Sequence, residues 1–291
     1  MPTINEIKEQ ISVVKSVGEF TNAMQQIATL RMMKLRDKVL ASRPFVETAL
    51  NMVRELNALK EEQEKLEQAK LSKKQKDLVK ADTGGGRRAV IVITSNAGLI
   101  GQYNIQIYAK VEKVLEQEKD SEFFVIGKKG QEVFANGKYK VRSFPYAVPD
   151  NFEIADLMRL IRLFDLYDHI TLIYSRYFNS AKQEVVVTSI VTPQLEATPE
   201  SERQPGKYIY EPDLYDMIDG VSRKLRGALF QQQIFDSRLA QFSAQMIGMK
   251  TASDNATKML GEMQIEYNKA RRKLIDKKIS EVFAGSASWK S

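Results

Sequence analysis

The sequence predicts a fold of the α plus α/β class: a long antiparallel left-handed coiled coil, formed by the N- and C-terminal helices, with an inserted Rossmann-like α/β domain. Two observations predict it. Apolar residues recur at alternating spacings of three and four near both ends of the chain, which is the helical period. Between these regions, short apolar β-branched runs alternate with helical segments, which is typical of α/β domains.

The N-terminal helix is predicted over residues 4–59. Its apolar stripe slips through Val17, Phe20, Met24 and Ile27. Elsewhere the stripe is regular, through Ile4, Ile7, Ile11, Val14, Ala28, Met32, Leu35, Val39, Val46, Ala49, Val53 and Leu56. A helix of this span reaches ~80 Å, several times the length of an ordinary globular helix. Pro44 removes one helical hydrogen bond, so we expect the helix to kink or restart after Ser42.

The C-terminal helix has the cleaner pattern, with a seam that only Gln232 and Ser253 interrupt. The seam passes through Ile218, Val221, Leu225, Ala228, Gln232, Phe235, Leu239, Phe242, Met246, Met249, Ser253, Ala256, Leu260, Met263, Tyr267, Ala270 and Leu274. A sustained 3.5-residue period predicts a left-handed supercoil and therefore a partner helix. The simplest partner is the N-terminal helix of the same chain, running antiparallel, because the two ends of the chain flank a compact insert. The alternative is a pair of amphipathic helices in an ordinary helical domain.

The middle of the chain predicts an open sheet, parallel at least in part, with helices packed on it. Strands are expected over residues 89–95, 123–127, 139–144, 169–177 and 184–193, and helices over 105–117, 128–136 and 153–167. The predicted organisation is a coiled-coil helix (1–59), a charged helical extension with a glycine hinge (60–88), a Rossmann-like domain (89–195), a linker (196–208) and a second coiled-coil helix (209–291).

Composition excludes several kinds of site. The 291 residues include no cysteine and one histidine, His169, so disulfides, thiol nucleophiles, iron–sulfur ligands and multi-histidine metal sites are excluded. The N-terminus lacks the features of a secretory or transit signal, and the longest apolar run, residues 89–93, is too short to span a bilayer. We therefore expect a soluble cytoplasmic protein.

An α/β domain invites a search for a nucleotide site, but the glycine motifs of such sites are absent. The nearest feature is the loop at residues 95–102, whose two glycines leave room for a phosphate against backbone amides; a tight turn is the alternative. His169 is expected to be a capping or surface residue and not a general base. No catalytic, cofactor or metal site is predicted.

The net charge of +7 is unevenly distributed. It amounts to +2 over residues 1–56, +3 over 57–88, −2 over 89–205 and +4 over 206–291, with the densest basic cluster between residues 269 and 278. A basic helix suits an acidic protein surface, nucleic acid or anionic lipid, or is simply a solvated face. The interleaved acidic residues weaken the nucleic-acid interpretation.

Motifs near both ends of the chain carry a family resemblance. Residues 249–256 (MKTASDNA), 267–271 (YNKAR) and 275–285 (IDKKISEVFAG) are similar to the signature M-x-x-A-[ST]-D-N-A…Y-N-x-A-R-Q…I-T-x-E-[IL]-x-E-I-x-x-G of F-type ATP synthase gamma subunits. Three further segments resemble the family phrases T-[KR]-A-M-x-x-V-A…K, S-R-P-[YF] and T-S-D-R-G-L-x-G-x-x-N, respectively residues 21–34, 41–45 and 94–104. The resemblance therefore covers essentially the whole chain.

This resemblance implies a rotor shaft with no active site or cofactor of its own, held at the inner face of the cell membrane through its complex. The implied partners are the alpha and beta subunits of the catalytic ring, and an epsilon-type subunit and membrane rotor ring at the foot. Neither nucleic-acid binding nor direct membrane insertion is implied. In this family a basic belt on the coiled coil meets acidic loops of the beta subunits. The resemblance of the belt and of the signature blocks therefore places the expected partner contacts at Met24, Arg31, Lys34, Asp254, Asn255, Lys269, Arg271, Arg272 and Lys278.

The chain departs from the family pattern at several motif positions. The basic residue before Ala-Met is Asn22, the Asp-Arg of the first loop are Asn96-Ala97, the Gln after Ala-Arg is Arg272, and Asp276 and Lys278 replace a Thr and a Glu. We therefore hypothesise a divergent member, serving a specialised ATP-hydrolysing F-type-like motor, such as those of wall-less bacteria, that is not coupled to proton-driven synthesis. A coiled-coil scaffold or nucleic-acid tether, and a nucleotide-binding enzyme, are the alternatives from other classes.

Overall fold

A computed structural model describes residues 3–70, 86–135, 141–143, 162, 166–167, 169–191 and 214–288. Its elements, in chain order, are α1 (Ile4–Lys70), β1 (Arg88–Ile93), α2 (Tyr103–Gln117), β2 (Glu122–Ile126), α3 (Lys128–Phe134), β3 (Val141–Ser143), β4 (His169–Asn179), β5 (Lys182–Val191) and α4 (Leu214–Ser288). The expected linker at 196–208, residues 84–85 of the glycine hinge and most of the expected helix at 153–167 lie outside the described residues.

The five described strands form one mixed sheet in the order β3-β2-β1-β4-β5. β1 pairs in parallel with β2 and β4, β2 pairs in parallel with β3, and β5 runs antiparallel to β4. Residues 89–93 of the central strand β1 are all buried, as expected of a parallel strand covered on both faces. The predicted βα alternation is therefore confirmed over the described elements.

The hairpin between β4 and β5 is tighter than the sequence predicted. The strands predicted at residues 169–177 and 184–193 leave six residues between them, whereas β4 continues to Asn179 and β5 begins at Lys182. The reason is the Asn179 side chain, whose Oδ1 accepts hydrogen bonds from the backbone N–H of Ala181 (2.9 Å) and Lys182 (2.8 Å). This Asx-type turn closes the hairpin in two residues.

The chain divides into two compact units, one comprising residues 1–31 and 245–291 and the other residues 32–244. In the first unit the beginning of α1 packs against the end of α4. A Cβ atom added at Gly18 would lie 3.4 Å from Cβ of Ala256, and residues 3–7 line a groove with residues 262–277. The contacts therefore run in opposite order along the two helices.

The slip predicted in the stripe of α1 is wrong. Val17, Phe20 and Ile27 are exposed, while Thr21 is buried and Gly18 is half-buried. Burial of the Thr21 hydroxyl is tolerated because Oγ1 donates to the carbonyls of Val17 and Gly18, at 3.0 Å each. The buried positions therefore keep their regular spacing. Gly18 and Thr21 occupy two of them, and a search for large apolar side chains does not detect these residues.

In the second unit, α1 and α4 share a small apolar core built on Val46, Val53 and Leu225. A larger core lies between α4 and the sheet, where Phe230 and Ile234 pack among side chains from β1, β2, β4 and β5. Residues 229–245 of α4 are accordingly buried or half-buried at every position. The seam predicted from sequence accounts for only one of these two packed faces.

Pro44 does not restart α1, which continues without interruption from Ile4 to Lys70. Pro44 lacks the backbone N–H that would make one helical hydrogen bond. Val39 and Val46, on either side of it, are fully or nearly fully buried, so packing on both sides holds the helical path. In the described ranges, no helix contains a stretch long and apolar enough to cross a bilayer.

Candidate functional site

The loop that follows β1 was the one candidate phosphate site, and the structure shows how its polar groups are used. The backbone N–H groups of Lys128, Lys129 and Gly130 open helix α3 and face this loop. They donate respectively to Oδ1 of Asn96 (3.2 Å), the carbonyl of Ser95 (3.0 Å) and Oγ1 of Thr94 (3.1 Å).

Two glycines allow this close approach between the loop and α3. A Cβ at Gly127 would lie 2.4 Å from the carbonyl oxygen of Thr94, and one at Gly130 would lie 2.5 Å from Oγ1 of the same residue. Gly127 also has φ of +109°, a conformation that side chains disfavour. These three amides at the start of α3 already have acceptors within the chain, so they are not available to an anion, and the loop is fastened to α3.

The remaining residues considered for chemistry are dispersed. His169 begins β4 at the exposed surface, and its backbone N–H donates to the carbonyl of Arg87 (3.3 Å). Its neighbour in sequence, residue 168, lies outside the described residues. Within the described ranges, no three His, Asp or Glu side chains are grouped closely enough to hold a metal ion.

The second unit contains a polar anchor that fixes α4 against its neighbours. Nη2 of Arg43 donates to Oδ1 of Asp236 (2.9 Å) and to the carbonyl of Tyr177 (3.2 Å). At the next residue of α4, the carbonyl of Ser237 accepts a hydrogen bond from the hydroxyl of Tyr103 (3.1 Å). Burial raises the pKa of Asp236, an effect that Arg43 opposes, and raises the pKa of Tyr103 to about 12. The anchor joins α1, α2, α4 and the end of β4.

The predicted partner-contact residues are mostly at the surface. Met24 is half-buried, and the others are exposed: Arg31, Lys34, Asp254, Asn255, Lys269, Arg271, Arg272 and Lys278. They do not form one patch on α4. At 100° per residue, Lys269 and Arg271 point to nearly opposite sides of the helix, whereas Arg271 and Lys278 lie on the same side.

An exposed apolar stripe on α1 is the surface that sequence analysis missed. It consists of Val13, Val17, Phe20, Met24 and Ile27, at alternating spacings of four and three, and all but Met24 are exposed, with Phe20 at 53%. The three–four spacing of these residues is visible in the sequence, but spacing alone does not distinguish an exposed stripe from a slip of the buried one. An exposed line of large apolar side chains marks a surface that a partner covers.

Comparison with known proteins gives the same family over the whole chain. A family model described as ATP synthase matches residues 3–288. The ATP synthase gamma chain of Mannheimia succiniciproducens is 29% identical over 300 residues, covering 99% of this chain and 100% of that protein. The ATP synthase gamma chain of Ruthia magnifica subsp. Calyptogena magnifica is 30% identical over 293 residues, covering 97% and 98% respectively.

Solved structures agree at the level of the fold. A chain in the structure of the Euglena gracilis mitochondrial ATP synthase, comprising OSCP, F1 and c-ring in rotational state 3, aligns with a TM-score of 0.64 at 16% identity. The alignment covers 98% of this chain and 94% of the Euglena chain. Since the family model and the relatives span nearly its full length, the chain belongs to the family of ATP synthase gamma chains.

Proposed function

We propose that this chain is the central rotor shaft of a rotary F-type ATPase, coupling ATP hydrolysis or synthesis in a surrounding ring of alpha and beta subunits to rotation. The observation that carries the proposal is the regular three–four burial of α1 and α4 combined with an exposed apolar stripe beside it. A shaft needs a stiff, internally packed axis and a surface that differs from side to side. Only differential contacts with the ring can couple rotation to nucleotide state.

In this proposal α1 and α4 form an antiparallel left-handed coiled coil. Within the first unit, the Gly18–Ala256 contact and the groove between residues 3–7 and 262–277 support antiparallel packing. Within the second unit, Val46 and Val53 share a core with Leu225. The seam spacing supports a left-handed supercoil.

The α/β region, residues 89–195, is proposed to be a Rossmann-like domain without nucleotide chemistry. Three parallel pairings and the position of β1 at the centre of the sheet support this. The segments at 60–88 and 196–208 connect it to the shaft, residues 1–59 and 209–291. The internal hydrogen bonds of the amides that open α3 support a subunit that leaves catalysis to its partners.

The partner surfaces follow from this arrangement. The apolar stripe, which includes Met24, and the exposed basic residues are proposed to meet the apolar and acidic surfaces of the ring. These residues are Arg31, Lys34, Lys269, Arg271, Arg272 and Lys278, with Asp254 and Asn255 as polar contacts. An epsilon-type subunit and a membrane rotor ring are proposed at the foot, which would hold the chain in the cytoplasm, peripheral to the inner face of the membrane.

A more specialised role is the second candidate. Arg272 and Lys278 are exposed, and both carry a positive charge where the family pattern has Gln and Glu. Changed charges on an exposed surface favour a changed partner, as expected for an ATP-hydrolysing motor that is not coupled to proton-driven synthesis. A purified complex that contains an ordinary proteolipid ring and makes ATP from a proton gradient would exclude this candidate.

The deciding experiment for the shaft is affinity purification of the tagged chain from its own cells, followed by mass spectrometry. We expect two larger nucleotide-binding subunits in equal amounts and in excess over the tagged chain. Recovery of the chain without them would refute the proposal.

Coupling can be tested with an introduced cysteine, since the chain has no other thiol. Met24→Cys or Arg271→Cys, cross-linked to the ring, should stop multi-site ATP turnover without dissociating the complex, and reduction should restore it. Ser12→Cys, at an exposed position of α1 outside the apolar stripe, is the matched control and should cross-link less.

A further inference from the structure

The end of the hairpin between β4 and β5 is fastened to the long helices by a first set of polar contacts. Nη2 of Arg43, on α1, donates to Oδ1 of Asp236 on α4 (2.9 Å) and to the carbonyl of Tyr177 on β4 (3.2 Å). The side chain of Asp236 is 3% exposed, so water has little access to its carboxylate. One guanidinium group therefore ties both long helices to the same strand.

A second set of contacts fastens the same hairpin end two turns further along α4. Oγ of Ser243 donates to the carbonyl of Ser180 (2.7 Å), and Nε2 of Gln183 donates to Oγ of Ser243 (3.0 Å). Ser243 is completely buried, and Gln183 pairs with Tyr177 across the hairpin. The first set of contacts thus holds β4, and the second holds the turn and the start of β5.

The polar contacts hold α4 on two sides. Asp236 and Ser243 are seven residues apart, which at 100° per residue is about 20° around the helix and about 10 Å along its axis. They therefore lie on one side of α4. Ser237, about 100° around the helix from Asp236, bonds instead with the hydroxyl of Tyr103 on α2, through its carbonyl (3.1 Å) and its Oγ (2.7 Å).

These contacts resist rotation of α4 about its own axis more than the neighbouring apolar core does. Burial of Phe230 and Ile234 against the sheet opposes separation, but the hydrophobic effect is non-directional. A hydrogen bond depends on both distance and angle. A turn of about 20° moves an atom about 6 Å from the helix axis by about 2 Å, which breaks the 2.7 Å bond of Ser243.

The hairpin end leads directly to the centre of the sheet. β4 pairs with β5 along its length, and the first half of β4 also pairs in parallel with β1. β1 in turn pairs with β2. A force applied at the hairpin end is therefore carried along β4 into the hydrogen-bonded ladders of β1 and β2.

We propose that this hairpin end is the point at which torque passes between the two long helices and the α/β region, and that Asp236 and Ser243 are its positioning residues on α4. The inference rests on the proposed rotor function and deepens it, because a shaft that turned within its own α/β region would deliver no work. The contacts supply stiffness in addition to stability. The competing interpretation is that they contribute to stability alone.

The test measures how stiffly the α/β region is attached to the shaft in the complex. A bead is attached at Lys110→Cys, an exposed position of α2 in a chain without other thiols, before the chain is assembled with its ring. The ring is then fixed to a surface. The angular variance of the bead is recorded without ATP, and its rotation is recorded with ATP.

Two variants each remove one set of contacts. Gln183→Leu/Ser243→Ala should raise the angular variance by up to about twofold, because variance is inversely proportional to stiffness and one of two parallel attachments is lost. Arg43→Met/Asp236→Leu should have the same effect, and it preserves folding because apolar residues replace both members of the buried ion pair. ATP turnover by the ring should stay unchanged in both variants.

Two control variants separate stiffness from stability. Ile234→Val removes one methyl group from the core between α4 and the sheet. Glu184→Gln breaks the exposed ion pair with Lys182 (2.8 Å) on the same hairpin. Urea denaturation should show a lower midpoint for Ile234→Val, but both controls should keep the angular variance of the parent.

Two results would overturn the proposal. The first is an angular variance equal to that of the parent in both folded hairpin variants. The second is an equal rise in Ile234→Val, which would reduce the contacts to a structural role. Circular dichroism verifies the folding of each variant. A bead on the parent chain that does not turn with ATP would instead refute the rotor function.

Discussion

Arg43 of α1 and Asp236 of α4 form an ion pair in which the Asp236 side chain is almost completely buried. Nη2 of Arg43 lies 2.9 Å from Oδ1 of Asp236, and the side chains are 30% and 3% exposed. The same nitrogen donates to the carbonyl of Tyr177 near the end of β4. Arg43 belongs to the family phrase S-R-P-[YF], and in this chain it joins two helices and the sheet.

Replacing Arg43 with methionine should lower the free energy of unfolding by about 3–5 kcal/mol, because it leaves Asp236 buried without its counter-ion. Urea denaturation followed by circular dichroism measures this loss. Arg36→Met is the matched control: its ion pair with Asp37 (3.3 Å) is exposed, and its loss should change stability by less than about 1 kcal/mol. Equal effects of the two substitutions would contradict the buried pair.

The pair also predicts a pH dependence. Burial raises the pKa of Asp236 above its ordinary value of 3.8, so the folded chain holds this proton more tightly than the unfolded chain. The contribution of this group to stability is therefore largest below pH 3.8 and falls as the pH rises through its folded pKa. Asp236→Asn should remove this fall, so the stability difference between variant and parent should shift in favour of the variant as pH rises from 3.8. If the stability of the variant and that of the parent changed in parallel with pH, the predicted direction would be refuted.

Tyr103, in the same polar anchor, provides a further prediction. Its hydroxyl donates to the carbonyl of Ser237 and lies 2.7 Å from Oγ of that residue. Tyr103→Phe should cost about 1–2 kcal/mol, because the buried Ser237 loses its partner. Since burial raises the pKa of Tyr103 to about 12, absorbance titration of the parent should show a tyrosine ionisation near that pH that the variant lacks. The Tyr103 contribution to stability is lost as pH rises from 10.0 to about 12.

The sequence alone predicted the elements that have a clear apolar pattern. The helical spacing of apolar residues predicted both long helices, and short apolar runs predicted all five described strands. Apolar patterning works where an element buries large apolar side chains. It failed where burial does not require an apolar side chain. Gly18 and Thr21 occupy the packed stripe of α1 but carry no hydrophobic signal, so the exposed residues Val17 and Phe20 were assigned in their place.

Other features depend on contacts between residues far apart in sequence. Phe230 and Ile234 form a second packed face of α4 only because the sheet lies against it, and a single-helix pattern cannot show a second neighbour. Likewise, the pairing of Asn96 with the backbone of Lys128 closes the candidate phosphate loop from 32 residues away. Local glycine spacing left that loop open to either interpretation.

Gly18 tests how closely the two helices of the first unit approach. Alanine ordinarily stabilises a helix interior by about 1 kcal/mol relative to glycine. Gly261→Ala, where a Cβ would meet no atom within 4 Å, should realise this gain, whereas Gly18→Ala, with Ala256 at 3.4 Å, should realise less. Gly18→Leu should destabilise the chain by about 1–3 kcal/mol through overpacking. Thermal and urea denaturation check the order, and a gain for Gly18→Leu would exclude close packing at this position.

Phe20 separates folding from partner binding. Its side chain is 53% exposed and lies on the apolar stripe, so Phe20→Ser should change the free energy of unfolding by less than about 0.5 kcal/mol. If the ring covers this stripe, the same substitution should weaken assembly by about 1–3 kcal/mol, or roughly tenfold or more in affinity. Recovery of the two larger subunits by the tagged chain measures this effect.

The matched control for Phe20 is Gln26→Ser, an exposed position of α1 outside the apolar stripe. It should leave both stability and ring recovery unchanged. Val53→Ser, at a fully buried position, should instead destabilise the chain by several kcal/mol, because it introduces a hydroxyl and a cavity into the core with Leu225. If Phe20→Ser lost stability in proportion to its loss of assembly, Phe20 would belong to the core. The apolar stripe would then not be a partner surface.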